Sequence, residues 1–282
     1  MTSPISVLLT DFWGNTWDLT PPAQPYPRQV GLRLKEISGL AGAPFSFTEV
    51  AGVTTDGVLV TGRKDDPNTI KIKLWVDYPG GGPDAVAYLM GWRRALGRGL
   101  ARDVNTPPLQ LTVGETGRWQ DVRLLSADAE PDLQSIASPG GMALEELTLR
   151  SDLTWWRADP IVRTFTGQTA IGSATVPNRG DIDVWPQLKL TGPITTPKIG
   201  IAGELISLPN LAAGQWLDID ADPDYWSALD QAGNDRSWDI GIRWQKQVPA
   251  NTENAVVSVT GTGITAATSL TVTVPQYFWA AI

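Results

Sequence analysis

The chain has 282 residues, with 42% hydrophobic and 18% charged side chains, a balance typical of folded proteins, and its length predicts two domains rather than one. It contains no cysteine and no histidine, which excludes disulfides, thiolate chemistry, histidine-ligated zinc and nucleophiles activated by histidine. Its 22 basic residues against 30 acidic ones leave a net charge of -8, which disfavours sequence-independent binding to nucleic-acid phosphates.

From the first residues onward, strand signals dominate. The apolar run Val7-Leu8-Leu9 has no basic residue ahead of it and is ended by Asp11, so no signal peptide is expected. No apolar stretch approaches the roughly 20 residues needed to span a bilayer as a helix, and no membrane association is predicted. Val30-Leu32-Leu34 alternates as a strand does. Ile70, Ile72, Leu74 and Val76 then occupy every second position between Lys71, Lys73, Trp75 and Asp77, which sets four apolar side chains on one sheet face.

One segment changes period. Pro83-Asp84 suits a first helical turn, and Val86, Leu89, Trp92 or Arg93, and Leu96 follow at spacings of three and four, predicting a helix near 84–97. Gly97 and Gly99 end it, and Arg93, Arg94 and Arg98 complement the dipole at its C-terminal end. With Arg102 these arginines form a basic cluster, read as a solvated or subunit-facing surface. Strand alternation resumes in Leu109-Leu111-Val113 and in Leu144 to Leu149.

Ala158-Asp159-Pro160 is the expected domain boundary, giving domains of residues 1–158 and 159–282. Beyond it, Leu188-Leu190, Ile240-Ile242-Trp244 and Leu270-Val272-Val274 alternate, with a turn expected near Trp226 to Leu229. The Thr-, Ala-, Gly- and Ser-rich run from Thr260 to Thr273 reads as a strand rather than a linker, because Leu270, Val272 and Val274 alternate. The fold class is therefore all-β with one α-helix in the N-terminal domain.

Chemistry-bearing patterns are few. The 13 tryptophans serve either as buried and interface anchors or as sugar-stacking platforms, and packing is the commoner use. In Trp155-Trp156, neighbouring strand residues face opposite ways, so one indole can enter the core while the other meets a neighbouring domain or subunit. The carboxylate run Asp218 to Asp224 fails the calcium-loop pattern, since Pro223 and Leu229 stand where Gly and Glu are required. Glu145 and Glu146 point to opposite faces of a strand and cannot flank one glycosidic bond. No catalytic residue, cofactor or metal site is predicted.

The order of motifs resembles the distal tail proteins of long-tailed (siphovirus-type) bacteriophages. Val30 to Leu40 followed by Pro44, and Thr55 to Arg63, resemble the early strands and turns of that family. The strand Ile70 to Val76 and a lone helix come next, then the junction Trp155-Trp156-Arg157-Ala158-Asp159-Pro160. Asn178-Arg179-Gly180, Trp185-Pro186, Leu190-Thr191-Gly192-Pro193 and Leu211 to Asp220 are similar to the family's second domain.

The resemblance implies a tail-tube-like N-terminal β-sandwich and a galectin-like C-terminal β-sandwich. It implies a non-enzymatic virion protein, made in the host cytoplasm and placed at the distal end of the tail. Such a protein forms a homo-hexameric ring that joins the tail tube protein to the baseplate hub and other minor tail proteins, with the tape-measure protein as a further partner. The ring leaves a channel through which DNA passes without specific binding. By motif position, Leu32, Leu34, Val58 and Val60 are the ring or tube-side sheet candidates, and Trp155, Trp156, Asp159 and Pro160 the domain-junction packing candidates. The alternative is a carbohydrate-binding protein that uses exposed tryptophans.

Overall fold

The structure, a computed structural model, describes residues 5–21, 28–51, 57–97, 107–127 and 130–282. Of the residues singled out above, Thr55, Asp56, Arg98, Gly99 and Arg102 lie outside this set. The chain divides into two compact units, Met1–Trp156 with Trp279–Ile282, and Arg157–Phe278.

The first unit contains β1 (Val7–Thr10), β2 (Thr16–Asp18), β3 (Gly31–Ser38), β4 (Phe45–Val50), β5 (Leu59–Asp65), β6 (Thr69–Asp77), α1 (Gly82–Ala95), β7 (Leu109–Val113), β8 (Arg118–Ala127), α2 (Leu133–Ala137) and β9 (Met142–Arg150). Strand β6 lies antiparallel between β3 and β9, and β1 antiparallel between β2 and β7. Strand β8 serves both groups, because Arg118–Val122 pairs with β7 while the residues from Arg123 pair with β9.

Ile70, Ile72, Leu74 and Val76 of β6 are all fully buried, as their period-2 spacing predicts. Each contributes on the order of 1.5–3 kcal/mol relative to an exposed side chain. Helix α1 begins and ends two residues earlier than expected. It stops where Gly97, at φ 80°, takes the left-handed conformation that favours glycine and donates its N–H to the Arg94 carbonyl at 2.9 Å. The helix buries Leu89 and Trp92, and Trp92 meets the Trp17 ring edge-on at 5.3 Å.

A long strand, β10 (Trp156–Thr166), runs through the predicted boundary, and the division between units falls between its first two residues. Asp159-Pro160 sustains this strand because a residue preceding proline is pushed toward the extended region.

The second unit continues with α3 (Gly167–Gly172), β11 (Thr175–Asn178), β12 (Gln187–Thr191), β13 (Thr195–Ile201), β14 (Ile206–Ser207), β15 (Trp216–Asp220), β16 (Ser227–Asp230), β17 (Thr252–Thr262) and β18 (Ser269–Phe278). One sheet runs β16-β15-β12-β18-β10 and the other β11-β17-β13-β14. Leu188, Leu190, Ile219 and Val272 from the first and Val176, Ile199, Ile201 and Val257 from the second share one buried cluster, so the two sheets face each other across a common core.

Three local expectations for this unit are corrected. Trp226 to Leu229 is not a turn: Ser227 to Asp230 form the edge strand β16. Ile240-Ile242-Trp244 is not a strand, because a 3-10 turn at Ser237–Asp239 and Gly241 at φ 71° break the extended path; Ile240 and Trp244 are buried and Ile242 is exposed. The run Thr260 to Thr273 is two strand ends around a turn, pinned by buried Thr268, whose hydroxyl donates to the Pro193 carbonyl at 2.7 Å.

The Asn-x-Gly motif has a packing role. Buried Asn178 donates to the carbonyls of Ile182 and Val248 at 2.9 and 3.2 Å and accepts the Gly180 N–H at 3.0 Å. A Cβ at Gly180 would collide with the Tyr277 backbone, so glycine is required by close approach.

Candidate functional site: an exposed hairpin and its aromatic base

Among the described residues, strands β4 and β5 pair only with each other, as a two-stranded sheet. Ordinary strand chemistry builds them, with Phe45, Phe47 and Val50 on one and Leu59 and Val60 on the other. Every residue of β4 is nevertheless exposed. Phe45, Phe47, Val50, Val58, Leu59 and Val60 are each more than half exposed, Leu59 at 69%. A register shift between Thr48 and Glu49 marks a β-bulge, and Thr61 at that point donates to the Thr48 carbonyl at 3.0 Å. Apolar side chains on both faces of the ribbon reach solvent.

The base of the hairpin is held by a stack of rings and one guanidinium. Arg63 lies 4.1 Å from the Phe45 ring centroid and 4.3 Å from that of Trp279. The same guanidinium reaches the Asp65 carboxylate at 2.7 Å. Phe45 meets Phe47 edge-on at 5.5 Å, and Trp279 meets Trp155 at 4.5 Å, nearly perpendicular. Residues 279–282 are further tied into the first unit: Ala281 donates to the Leu40 carbonyl at 2.8 Å, and Thr116 and Arg118 donate to the carbonyls of Ala281 and Ala280 at 2.6 and 2.8 Å.

The predicted site residues are distributed unevenly. Leu32 is buried in the core of the first unit and Leu34 is half-buried, while Val58 and Val60 stand exposed on the hairpin. Trp156 is fully buried, Trp155 is half-buried against Trp279, and Asp159 and Pro160 are exposed on β10. Sequence reasoning missed Phe45, Phe47, Arg63 and Trp279. The available signal was the crowding of aromatic and β-branched residues into two short segments around residues 52–56.

The basic-cluster reading fails at Arg93. Its side chain is buried and grips the buried Glu145 carboxylate in two-pronged fashion, Nε to Oε2 at 2.9 Å and Nη2 to Oε1 at 2.7 Å. Glu145 shares the strand phase of buried Ala143, Leu147 and Leu149, and Arg93 shares a helix face with Leu89; position, not residue type, put both inside. Glu146 points the other way and pairs with Lys73 at 3.3 Å.

Two further carboxylates fix loops of this unit. Buried Asp77 receives Arg33 at 2.9 Å and Arg28 at 3.3 Å. Buried Asp11 is pushed up by desolvation, but the side-chain and backbone donors of Asn15 and those of Trp17 and Trp13 outweigh this and hold its carboxyl below the usual carboxylate range. In the second unit the run Asp218 to Asp224 is a strand end followed by turns, with the Asp222 and Asp224 N–H groups donating back to Asp220 and Asp222 at 3.0 Å each. Among the described residues no group of acidic side chains is arranged to hold a metal ion, and no helix is long and apolar enough to cross a membrane.

No family model matches the chain, and no curated protein matches it in sequence. Solved structures do resemble it. The Dit protein of phage SPP1, presented as a paradigm of the hub adsorption apparatus in phages that infect Gram-positive hosts, aligns over 97% of this chain and 99% of its own at 13% identity, with a TM-score of 0.68. The activated phage P2 baseplate with Ca aligns over 96% of this chain and 97% of its own at 9% identity and a TM-score of 0.48, and that with Sr over 96% and 98% at 11% identity and 0.49. The all-β class with one long helix and the resemblance read from the motifs are both borne out at the level of the fold. Over nearly its whole length, this chain has the fold of the phage hub protein Dit.

Proposed function

We propose that the chain is a structural, non-enzymatic component of a phage tail tip. In this reading it forms a homo-hexameric ring that joins the tail tube to the baseplate hub and its neighbours, at the distal end of the virion tail. The observation that carries the reading is the β4–β5 hairpin, whose apolar side chains are more than half exposed among the described residues of their own chain. A two-stranded ribbon is marginally stable alone in water, and contiguous exposed apolar surface marks an interaction site. Neighbouring copies arranged around an axis would cover it and leave no ribbon edge free to aggregate. The likeness in fold to Dit, a protein of a phage hub adsorption apparatus, supports a place at the tail tip.

Within the ring, Val58 and Val60 join Phe47 and Leu59 as contact residues, and Leu34 is secondary to them. Leu32 is occupied in the chain's own core. The net charge of -8 favours a bore that does not hold DNA, provided the acidic groups lie within about 8 to 10 Å of it.

Negative-stain imaging and native mass spectrometry, with and without purified tail tubes, test this. A six-fold ring at the tube end is the expected result. A chain that remains monomeric at every concentration and leaves tubes bare would overturn it.

A further inference from the structure

The second unit carries an open pocket of about 330 Å³, built where the chain reverses after the edge strand β16. Asp230 organises the reversal by accepting the N–H groups of Ala232 and Asn234 at 2.9 and 3.0 Å, and Leu229 bridges to Asp235 across it. The 3-10 turn Ser237–Asp239 then throws Trp238 outward, 91% exposed. On the other wall Trp226 is half-buried against the core and packs on Trp244 at 5.5 Å between ring centroids. One indole is thus anchored and the other presents its ring to solvent.

The polar lining is placed as well. The Ser237 backbone N–H donates to Asp235 at 2.9 Å, and this bond with that of the Ser237 hydroxyl keeps the carboxyl below the usual carboxylate range. Asp235 is therefore a fixed acceptor at neutral pH. Arg243, also on the lining, makes no side-chain hydrogen bond or ion pair among the described residues, so its donors are free for a ligand. Arg236, by contrast, is engaged by Asp239 at 2.5 Å and Asp230 at 3.8 Å.

An aromatic platform flanked by one fixed carboxylate and one free guanidinium matches vicinal hydroxyl groups on an apolar ring face. Concave sites of this size that combine aromatic side chains with a few convergent polar groups take small ligands. The carboxylates of Asp230, Asp235 and Asp239 around the turn disfavour an anionic ligand. We propose that this pocket binds a neutral saccharide of a few rings, stacked on Trp238 and hydrogen-bonded by Asp235 and Arg243. The proposal goes beyond the ring reading and does not depend on it.

The test is direct binding of the purified full chain to an array of neutral hexose and N-acetylhexosamine oligosaccharides of two to six rings, with uronic-acid and sulfated oligosaccharides alongside. Tryptophan fluorescence titration follows each hit. The expected result is binding of at least one neutral oligosaccharide, weakened about tenfold or more by Trp238→Ala and about threefold or more by Arg243→Ala and by Asp235→Asn. The unfolding midpoint of Trp238→Ala should match that of the wild type, because the indole touches little of its own chain.

The proposal is overturned if no neutral oligosaccharide binds at millimolar concentration, if only the anionic ones bind, or if Trp238→Ala binds as the wild type does. Loss of a tail-tip protein partner by Trp238→Ala, without any saccharide binding, would make the pocket a protein-docking site and overturn it equally. Ring formation by the same variant is read separately by native mass spectrometry, so a failure of the ring reading is distinguishable from a failure here.

Discussion

Strand β6 and the β4–β5 hairpin are neighbours in sequence and draw on the same residue types, yet they end in opposite environments. In β6 the alternating set is fully buried, whereas the apolar residues of the hairpin stand in water on both faces of a ribbon. Alternation says that a strand has a face to bury. It does not say whose surface will bury it. A strand whose partners lie in its own chain completes a fold, and one without them stays exposed in that chain.

The contrast can be broken most forcefully from inside. Glu145→Ala removes the carboxylate that the buried Arg93 guanidinium grips, and chemical denaturation should show a loss of about 3–5 kcal/mol. The double replacement Arg93→Met with Glu145→Leu should recover most of that loss, since an apolar pair of similar volume avoids an uncompensated charge. An equal loss in both variants would mean that the ion pair itself, and not the burial of one charge after loss of the other, sets the stability.

The hairpin should behave oppositely. Phe47→Ser with Leu59→Ser should leave the unfolding free energy of the isolated chain within about 0.5 kcal/mol per site, because exposed positions contribute little to it. If the chain assembles through this ribbon, the same pair should abolish higher-order species in native mass spectrometry. If stability fell steeply and assembly persisted, the hairpin would be part of the fold and not an interface.

A smaller effect separates hydrogen-bonded carboxylates from exposed ones. The folded-state Asp11 carboxyl is depressed, so its contribution is fully present above the unfolded value near 4 and is lost as pH falls through the lowered folded value. Thermal unfolding between pH 6 and 2.5 should therefore show a shallower acid decline for Asp11→Asn than for the wild type. Parallel curves would mean that the loop donors of Asn15, Trp13 and Trp17 add nothing to the folded state.

Much of the fold was legible because period 2 survives wherever a strand packs on its own core: β6, β7, β12 and β18 were all read from alternation. Helix α1 was legible from the change of period and from Pro83. What was lost depended on backbone detail or on distant partners. Gly241 and the turn before it broke an alternation that Ile240, Ile242 and Trp244 only imitate. Arg93 sat in apolar phase, but its charge argued for the surface, and the carboxylate of Glu145 opposite made its burial tolerable. Of the surface candidates, Val58 and Val60 were placed by motif, while the pairing of Arg63 with Trp279 joins residues more than two hundred positions apart and leaves no local trace.

That long-range pairing bears on the timing of synthesis. Residues 279–282 belong to the first unit but leave the ribosome after all of the second. The ring stack beneath the hairpin therefore cannot close until the second unit has been translated in full. A nascent chain therefore carries the exposed apolar ribbon without a finished footing until translation has passed this segment.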